Sequence, residues 1–125
     1  MPTKLRHSQT GVYVGICTDD YGQRFMNLEN LSSIDAYSGT GNARSMTGGR
    51  ISHFLGLQGP NIQLDTACSS SLIAIHLAVQ SLRNGECDLA LTGGVNVILA
   101  PETSITLTKG SLMSSDGRCK TFDAR

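Results

Sequence analysis

One cysteine, Cys68, stands in the segment DTACSSSL (residues 65–72), between a run that predicts a short strand and a run that predicts a buried helix. Its thiol would lie at the helix N-terminus, where unpaired backbone amides and the helix dipole favour a thiolate. A sharp strand-to-helix turn also exposes the side chain and directs backbone N–H groups towards a carbonyl under attack. Small neighbours, Ala67 and the serines at 69–71, leave space for a substrate. The segment therefore predicts a nucleophile with half of an oxyanion hole.

A structural interpretation of the same segment stays open, in which Cys68 is a small buried side chain and the serines cap the helix. No general base follows from the spacing. His76 comes eight residues later on the same predicted helix, roughly 12 Å along its axis. His53 belongs to another predicted helix and His7 to the start of the chain. The sequence therefore gives none of the three histidines a catalytic role.

The other cysteines, Cys17, Cys87 and Cys119, lie far apart and form no CxxC or Cys/His cluster, so no metal site is expected. No helix dipole or base is predicted beside them, which favours structural roles. The chain has no GxSxG segment, and a serine hydrolase is therefore not indicated. The segment GTGNAR (39–44) has two of the three glycines of a dinucleotide fingerprint but no hydrophobic strand directly before it, which favours a structural loop.

Short apolar runs predict the elements that position Cys68. Strands are expected at 11–16, 62–66, 88–91 and 95–99. Helices are expected from residue 21 to about 32, over 43–55 and over 72–82, with a loop at 37–42. The strand–helix–strand order around Cys68 predicts a right-handed crossover between parallel strands.

The predicted helix after Cys68 is apolar at nearly every position from Leu72 to Leu82. We expect it to pack on a sheet formed by the other apolar runs, because those runs are its available partners. The residues expected to be mostly buried are Leu72, Ile73, Ile75, Leu77 and Val79. Gln80 and Arg83 are expected to be more exposed, and Asn84 with Gly85 to end the helix.

Composition limits the class of protein. The 125 residues are 39% hydrophobic and 16% charged, which fits one folded domain rather than a disordered chain. Ten Lys and Arg balance ten Asp and Glu, so neither nucleic acid nor an anionic membrane is an expected partner. The apolar runs are far shorter than the ~20 residues of a membrane span, and residues 1–10 lack the apolar core of a signal peptide. We expect a cytoplasmic chain with reduced cysteines.

From about Gly11 to Arg125 the chain resembles the β-ketoacyl synthase (ketosynthase) domain of modular type I polyketide synthases. The matching segments occur in the family's order: GVYVGICTDDY, YSGTGNARSMTGGRISHFLGLQGP, LDTACSSSLIAIHLAVQSLRNGECDLALTGGVNVIL and GSLMSSDGRCKTFDAR. The resemblance implies an α/β chain with the thiolase-like fold, which has two related α/β halves. We expect most of the N-terminal half only: a ragged start over 1–10, then a partial β-ketoacyl synthase N-terminal domain over 11–125, truncated after Arg125.

By this resemblance Cys68 matches the acyl-accepting cysteine of the family, whose backbone N–H forms part of the oxyanion hole. The family takes an acyl chain from the phosphopantetheine arm of an acyl carrier protein. It then catalyses a decarboxylative Claisen condensation with a malonyl-type extender. No cofactor or metal is expected to bind directly, since phosphopantetheine serves as the substrate carrier. The family's two histidines belong to later HGTGT-like and NxGH-like segments, so this chain alone is expected to be inactive in condensation.

The resemblance also implies partners: an acyl carrier protein, the C-terminal half of the ketosynthase and, in the full domain, a second copy. Apolar surface meant for the missing half is expected to be exposed. Two alternatives stay open. One is the ketosynthase of an animal-type fatty acid synthase, which shares DTACSSSL. The other is an inactive relic that acts only as an interaction surface.

Overall fold

The computed structural model describes residues 4–25, 31–32 and 34–124. The strands in these ranges are β1 (Thr10–Gly15), β2 (Asn61–Leu64) and β3 (Leu89–Gly94). The helices are α1 (Asp20–Phe25), α2 (Ala36–Asn42), α3 (Met46–Leu55), α4 (Ser70–Arg83) and α5 (Glu102–Lys109). A 3₁₀ turn over Ala67–Ser69 joins the end of β2 to α4. The mixture of parallel strands and helices confirms the α/β fold class.

The sheet has the order β2-β1-β3, and both outer strands run parallel to β1. All six residues of the central strand are buried. Val12 and Val14 pack with Leu57 on one face, and Tyr13 packs with Ala74 and Ala78 of α4 on the other. A strand covered on both faces is expected to be apolar throughout, which explains the unbroken run GVYVG. The predicted order of strand, helix and strand around Cys68 is confirmed, and β2 and β3 run parallel with β1 lying between them.

Helix α4 packs on this sheet through small side chains. Its buried residues are Ser70, Ala74, Ala78 and Ser81, which lie on one stripe of the helix. The prediction that the large apolar residues are mostly buried is therefore wrong. Their exposed fractions are 69% for Leu72, 37% for Ile73, 46% for Ile75 and 37% for Val79, while Leu77 is intermediate. Arg83 is exposed as predicted, Gln80 is half-buried, and Gly85 follows the helix with a left-handed φ of 71°.

Two other predicted elements differ from the structure. Residues 37–42 belong to α2 and not to a loop, because Asp35 caps the helix: its carboxylate accepts from the Tyr37 amide at 2.9 Å and from the Ser38 hydroxyl at 2.9 Å. Residues 95–99 form no strand, since β3 ends at Gly94. Side chains of the α1 region hold that segment instead, with Asp20 accepting from the Leu99 amide and Arg24 donating to the Leu99 carbonyl.

The helix predicted from residue 21 to about 32 is described only as α1 (Asp20–Phe25), and residues 26–30 lie outside the described residues. Tyr21 and Leu31, at the two ends of the predicted helix, are both 61% exposed. α5 (Glu102–Lys109) was not predicted. Among the described residues, no helix combines the length and apolar character that crossing a membrane requires.

Candidate active site

Cys68 lies at the edge of the sheet where the carboxyl ends of the three parallel strands meet. It occupies the 3₁₀ turn before α4, and its side chain is exposed. It lines an open pocket of about 290 Å³. Besides Cys68, the lining residues come from the ends of β1 and β3, the segments that follow them, and the turn and first residues of α4: Gly15, Ile16, Cys17, Thr18, Ala67, Ser70, Ser71, Gly94, Val95 and Asn96. Ligands of open α/β sheets bind at this edge, so the predicted nucleophile stands where substrate access is expected.

The absence of a side chain at Gly15 allows the start of α4 to approach the sheet. A Cβ at residue 15 would lie 2.8 Å from the Cβ of Ser70 and 3.0 Å from its carbonyl carbon. On the other side, a Cβ at Gly94 would lie 3.0 Å from the Gly15 carbonyl oxygen. The register pairs Gly15 with Gly94, so both strands end without side chains beside the helix N-terminus. Both glycines line the pocket that also contains Cys68.

The backbone immediately before Cys68 has an unusual conformation. Ala67 has a φ of 53°, in the left-handed region that residues with a Cβ rarely adopt. Side chains on both sides hold the turn. The Asp65 carboxylate accepts from the Ala67 amide at 3.0 Å. The Ser70 hydroxyl accepts from the Thr66 amide at 3.0 Å and donates to the Ala67 carbonyl at 2.6 Å. Two side chains therefore fix the turn that carries Cys68.

The serines after Cys68 have structural roles in this turn. Ser69 donates its hydroxyl proton to the Thr66 carbonyl at 2.8 Å, and Ser70 is buried with its hydroxyl bound to the backbone. These contacts lie within the turn and are not helix caps, since Ser69 at the N-cap of α4 makes no side-chain cap hydrogen bond. The structural interpretation is therefore not supported for the serines, and it is wrong for Cys68, which is exposed and not buried.

The three histidines all lie within the described residues and none of them lines the Cys68 pocket. His7, His53 and His76 are each exposed. The prediction that they supply no base to Cys68 stays a prediction, and the residues that line the pocket include no histidine. Among the described residues, no group of three or more His, Cys, Asp and Glu side chains could hold a metal ion.

The remaining cysteines do not share one environment. Cys87 is buried, with its Sγ 3.7 Å from the Ser81 hydroxyl, as a structural role requires. Cys17 and Cys119 are exposed, so the structural roles predicted for them are not supported by burial. A hydrogen bond from the Thr121 hydroxyl holds the pKa of the Cys119 thiol below its ordinary value. Cys17 lines the same pocket as Cys68, a proximity that no sequence motif indicated.

Comparison with known proteins defines the class. The family model for the N-terminal domain of β-ketoacyl synthases matches residues 1–125. The chain belongs to the β-ketoacyl synthase family. It is 52% identical over 123 residues to a phenolphthiocerol/phthiocerol polyketide synthase of Mycobacterium tuberculosis, covering 98% of this chain and 8% of that protein. It is 46% identical over 123 residues to the polyketide synthase GfsE of Streptomyces halstedii, covering 98% of this chain and 3% of that protein.

Solved structures agree with the family and the fold. The ketosynthase from module 6 of the bacillaene synthase of Bacillus subtilis superposes with a TM-score of 0.77 at 40% identity, covering 93% of this chain and 18% of that chain. An oxazolomycin ketosynthase domain of Streptomyces albus gives a TM-score of 0.78 at 41% identity, covering 96% of this chain and 20% of that chain. The predicted thiolase-like fold is confirmed for the N-terminal part that this chain covers.

Proposed function

We propose that this chain is the nucleophile-bearing part of a polyketide synthase ketosynthase, within residues 11–125, and that Cys68 accepts the growing acyl chain. The single observation that carries the proposal is the position of Cys68. Its exposed thiol lies at the start of a 14-residue helix, in a pocket at the carboxyl edge of a parallel sheet. The family to which the chain belongs supplies the reaction type.

In the proposed first step, the Cys68 thiolate attacks the carbonyl carbon of an acyl thioester. A tetrahedral oxyanion forms and collapses, breaking the original C–S bond and releasing the phosphopantetheine thiolate, which takes up a proton. The new thioester joins the acyl group to Sγ of Cys68. Backbone N–H groups at the helix N-terminus, including that of Cys68, would stabilise the oxyanion.

The second step of the proposed reaction is a decarboxylative condensation. A malonyl-type extender loses carbon dioxide, and the resulting enolate attacks the carbonyl carbon of the Cys68 thioester. One carbon–carbon bond forms, the bond between that carbon and Sγ breaks, and the released Cys68 thiolate takes up a proton. The histidines of this chain do not line the pocket, so the groups that assist this step must come from elsewhere in a complete ketosynthase. Cys68 accordingly performs acyl transfer, and the condensation belongs to the whole domain.

The partners follow from the same chemistry. Both acyl substrates of such a reaction arrive as thioesters, so we expect an acyl carrier protein whose phosphopantetheine arm reaches the open pocket. The two relatives described above are polyketide synthases, which favours polyketide over fatty acid synthesis. Because these relatives are polyketide synthases, we also expect the full domain to form a dimer.

The outer face of α4 supports a further partner, the C-terminal half of the ketosynthase. This face exposes Leu72, Ile73, Ile75, Val79 and Leu82, with exposed fractions between 37% and 69%. Five large apolar side chains on one helix are costly to leave in water. Since the chain covers only 18% of the solved bacillaene ketosynthase, we propose that the rest of the domain covers this face.

The acylation step can be tested by incubating the chain with an acyl N-acetylcysteamine thioester and following release of the free thiol. Wild-type chain and Cys17→Ala are expected to release thiol at similar rates, because Cys17 lines the pocket but is not the proposed nucleophile. Cys68→Ala is expected to release none above the uncatalysed rate. Equal release by wild type and Cys68→Ala, with both chains folded by circular dichroism, would favour the inactive relic over this proposal.

A further inference from the structure

The left-handed conformation of Ala67 has to be held by its surroundings. Non-glycine residues in this region are strained and persist only where other contacts over-determine them. Ala67 directly precedes Cys68, so its φ of 53° sets the direction of the backbone that carries the Cys68 side chain. Any contact that stabilises this conformation also determines where the Cys68 thiol stands.

The Asp65 carboxylate makes that contact with one of its two oxygens. Oδ1 accepts a hydrogen bond from the Ala67 amide at 3.0 Å, closing a side-chain turn over Thr66. This turn places the acceptor two residues before the strained backbone, at the end of β2 (Asn61–Leu64). Ser70 holds the same segment through the Thr66 amide and the Ala67 carbonyl. The Ala67 amide donates to Asp65 instead.

The second oxygen of Asp65 reaches a different part of the fold. Oδ2 lies 3.0 Å from Nη1 of Arg44, a residue of the segment between α2 (Ala36–Asn42) and α3 (Met46–Leu55). Both side chains are almost half exposed, at 45% and 44%, so the ion pair contributes little to the stability of the chain. The ion pair nevertheless fixes the orientation of the Asp65 carboxylate. With Oδ2 bound to Arg44, Oδ1 is directed at the Ala67 amide.

We propose that Asp65 is a positioning residue for the nucleophile, acting as a hydrogen-bond acceptor that holds Ala67 in the left-handed conformation, with Arg44 orienting its carboxylate. This inference rests on the proposed function in one respect, the role of Cys68 as nucleophile. It assigns no contact with substrate to Asp65. The essential property is an oxygen acceptor at the third position before the cysteine, and the negative charge is secondary.

The test is the second-order rate constant for alkylation of Cys68 by iodoacetamide in the full chain, measured by peptide mapping. Cys17 serves as the internal reference, because it is exposed in the same pocket but follows a different strand. Asp65→Ala is expected to slow alkylation of Cys68 about five- to tenfold relative to Cys17. Asp65→Asn is expected to stay within about twofold of wild type, since its amide oxygen can still accept from the Ala67 amide. Arg44→Gln is expected to fall between these two variants.

A second substitution separates positioning from general loss of structure. Glycine adopts a positive φ without strain, so Ala67→Gly added to Asp65→Ala is expected to recover most of the lost Cys68 rate. This double variant, together with Asp65→Asn, also decides the question if Asp65→Ala alone fails to fold. Asp65→Ala at the wild-type rate, equal losses in Asp65→Ala and Asp65→Asn, or no recovery in the double variant would each overturn the proposal. Alkylation involves no acyl transfer, so failure of Cys68 to accept an acyl group would refute the proposed function without affecting this result.

Discussion

Replacing Gly15 by alanine is expected to destabilise the chain and to displace the turn that carries Cys68. The added Cβ would lie 2.8 Å from Cβ, 3.0 Å from the carbonyl carbon and 3.2 Å from the carbonyl oxygen of Ser70. Two of these three atoms are backbone, so rotating a side chain cannot relieve the overlap. The first turn of α4 must move away from β1. Overpacking of this kind typically costs about 1–3 kcal/mol.

A matched control is available at Gly49, in the middle of α3. A Cβ there would meet nothing within 4 Å. Because alanine is the better helix former, Gly49→Ala is expected to raise the free energy of unfolding by about 0.5–1 kcal/mol. The same chemical change thus has opposite expected signs at the two glycines, because the added Cβ meets Ser70 at residue 15 and open space within a helix at residue 49.

Urea unfolding followed by circular dichroism measures both effects, and iodoacetamide labelling of Cys68 reports the displacement of the turn. Each kcal/mol shifts the melting temperature of a chain of this size by about 2–8 °C, so Gly15→Ala should also melt measurably below wild type. Its Cys68 labelling rate should change, whereas that of Gly49→Ala should not. If Gly15→Ala unfolds at the wild-type midpoint and labels Cys68 at the wild-type rate, the argument that Gly15 positions α4 is wrong.

Three further predictions test the core, its titration and the thiols. Ala74→Leu should lower the free energy of unfolding, measured in urea, by about 1–3 kcal/mol, because Ala74 is buried. Leu72→Ala should lower it by less than about 0.5 kcal/mol, because Leu72 is 69% exposed. A larger loss in Leu72→Ala than in Ala74→Leu would contradict the packing of α4. Burial raises the pKa of Tyr13 above its ordinary value of 10.0, so the folded chain keeps a proton that the unfolded chain loses. The free energy of unfolding should therefore fall as the pH rises above about 10, less steeply in Tyr13→Phe, and equal slopes would refute this. Limiting iodoacetamide should label exposed Cys68 well before buried Cys87, and equal labelling of the two would count against the exposed turn at Cys68.

The sequence predicted more of the candidate site than of the packing between helices and strands. The strand, turn and helix around Cys68 follow from local patterns, because an apolar strand, small turn residues and a long apolar run each have a structural signature. The segment DTACSSSL therefore located the strand-to-helix turn at Cys68 correctly. The contact between Asp65 and Arg44 joins residues 21 apart in sequence, and no local pattern specifies such a pair.

The burial of α4 could not be predicted, because nearly every position of the helix is apolar and the pattern leaves two faces available. Packing selected the stripe of Ala74 and Ala78, whose small side chains let the helix approach β1 closely. A similar competition decided α2, where the cap formed by Asp35 and Ser38 outweighs the loop tendency of two glycines. Residues 95–99 have strand composition, but among the described residues no neighbouring strand is available to pair with them.

The site of acylation decides whether Cys68 is the acyl acceptor. The chain is incubated with a hexanoyl thioester, digested, and mapped by tandem mass spectrometry before and after hydroxylamine, which cleaves thioesters. We predict that the hexanoyl mass is found on the peptide carrying Cys68, that hydroxylamine removes it, and that Cys68→Ala carries none. Hydroxylamine-labile acylation of Cys17 or Cys119 in preference to Cys68, or an equal acyl mass on folded Cys68→Ala, would contradict the account.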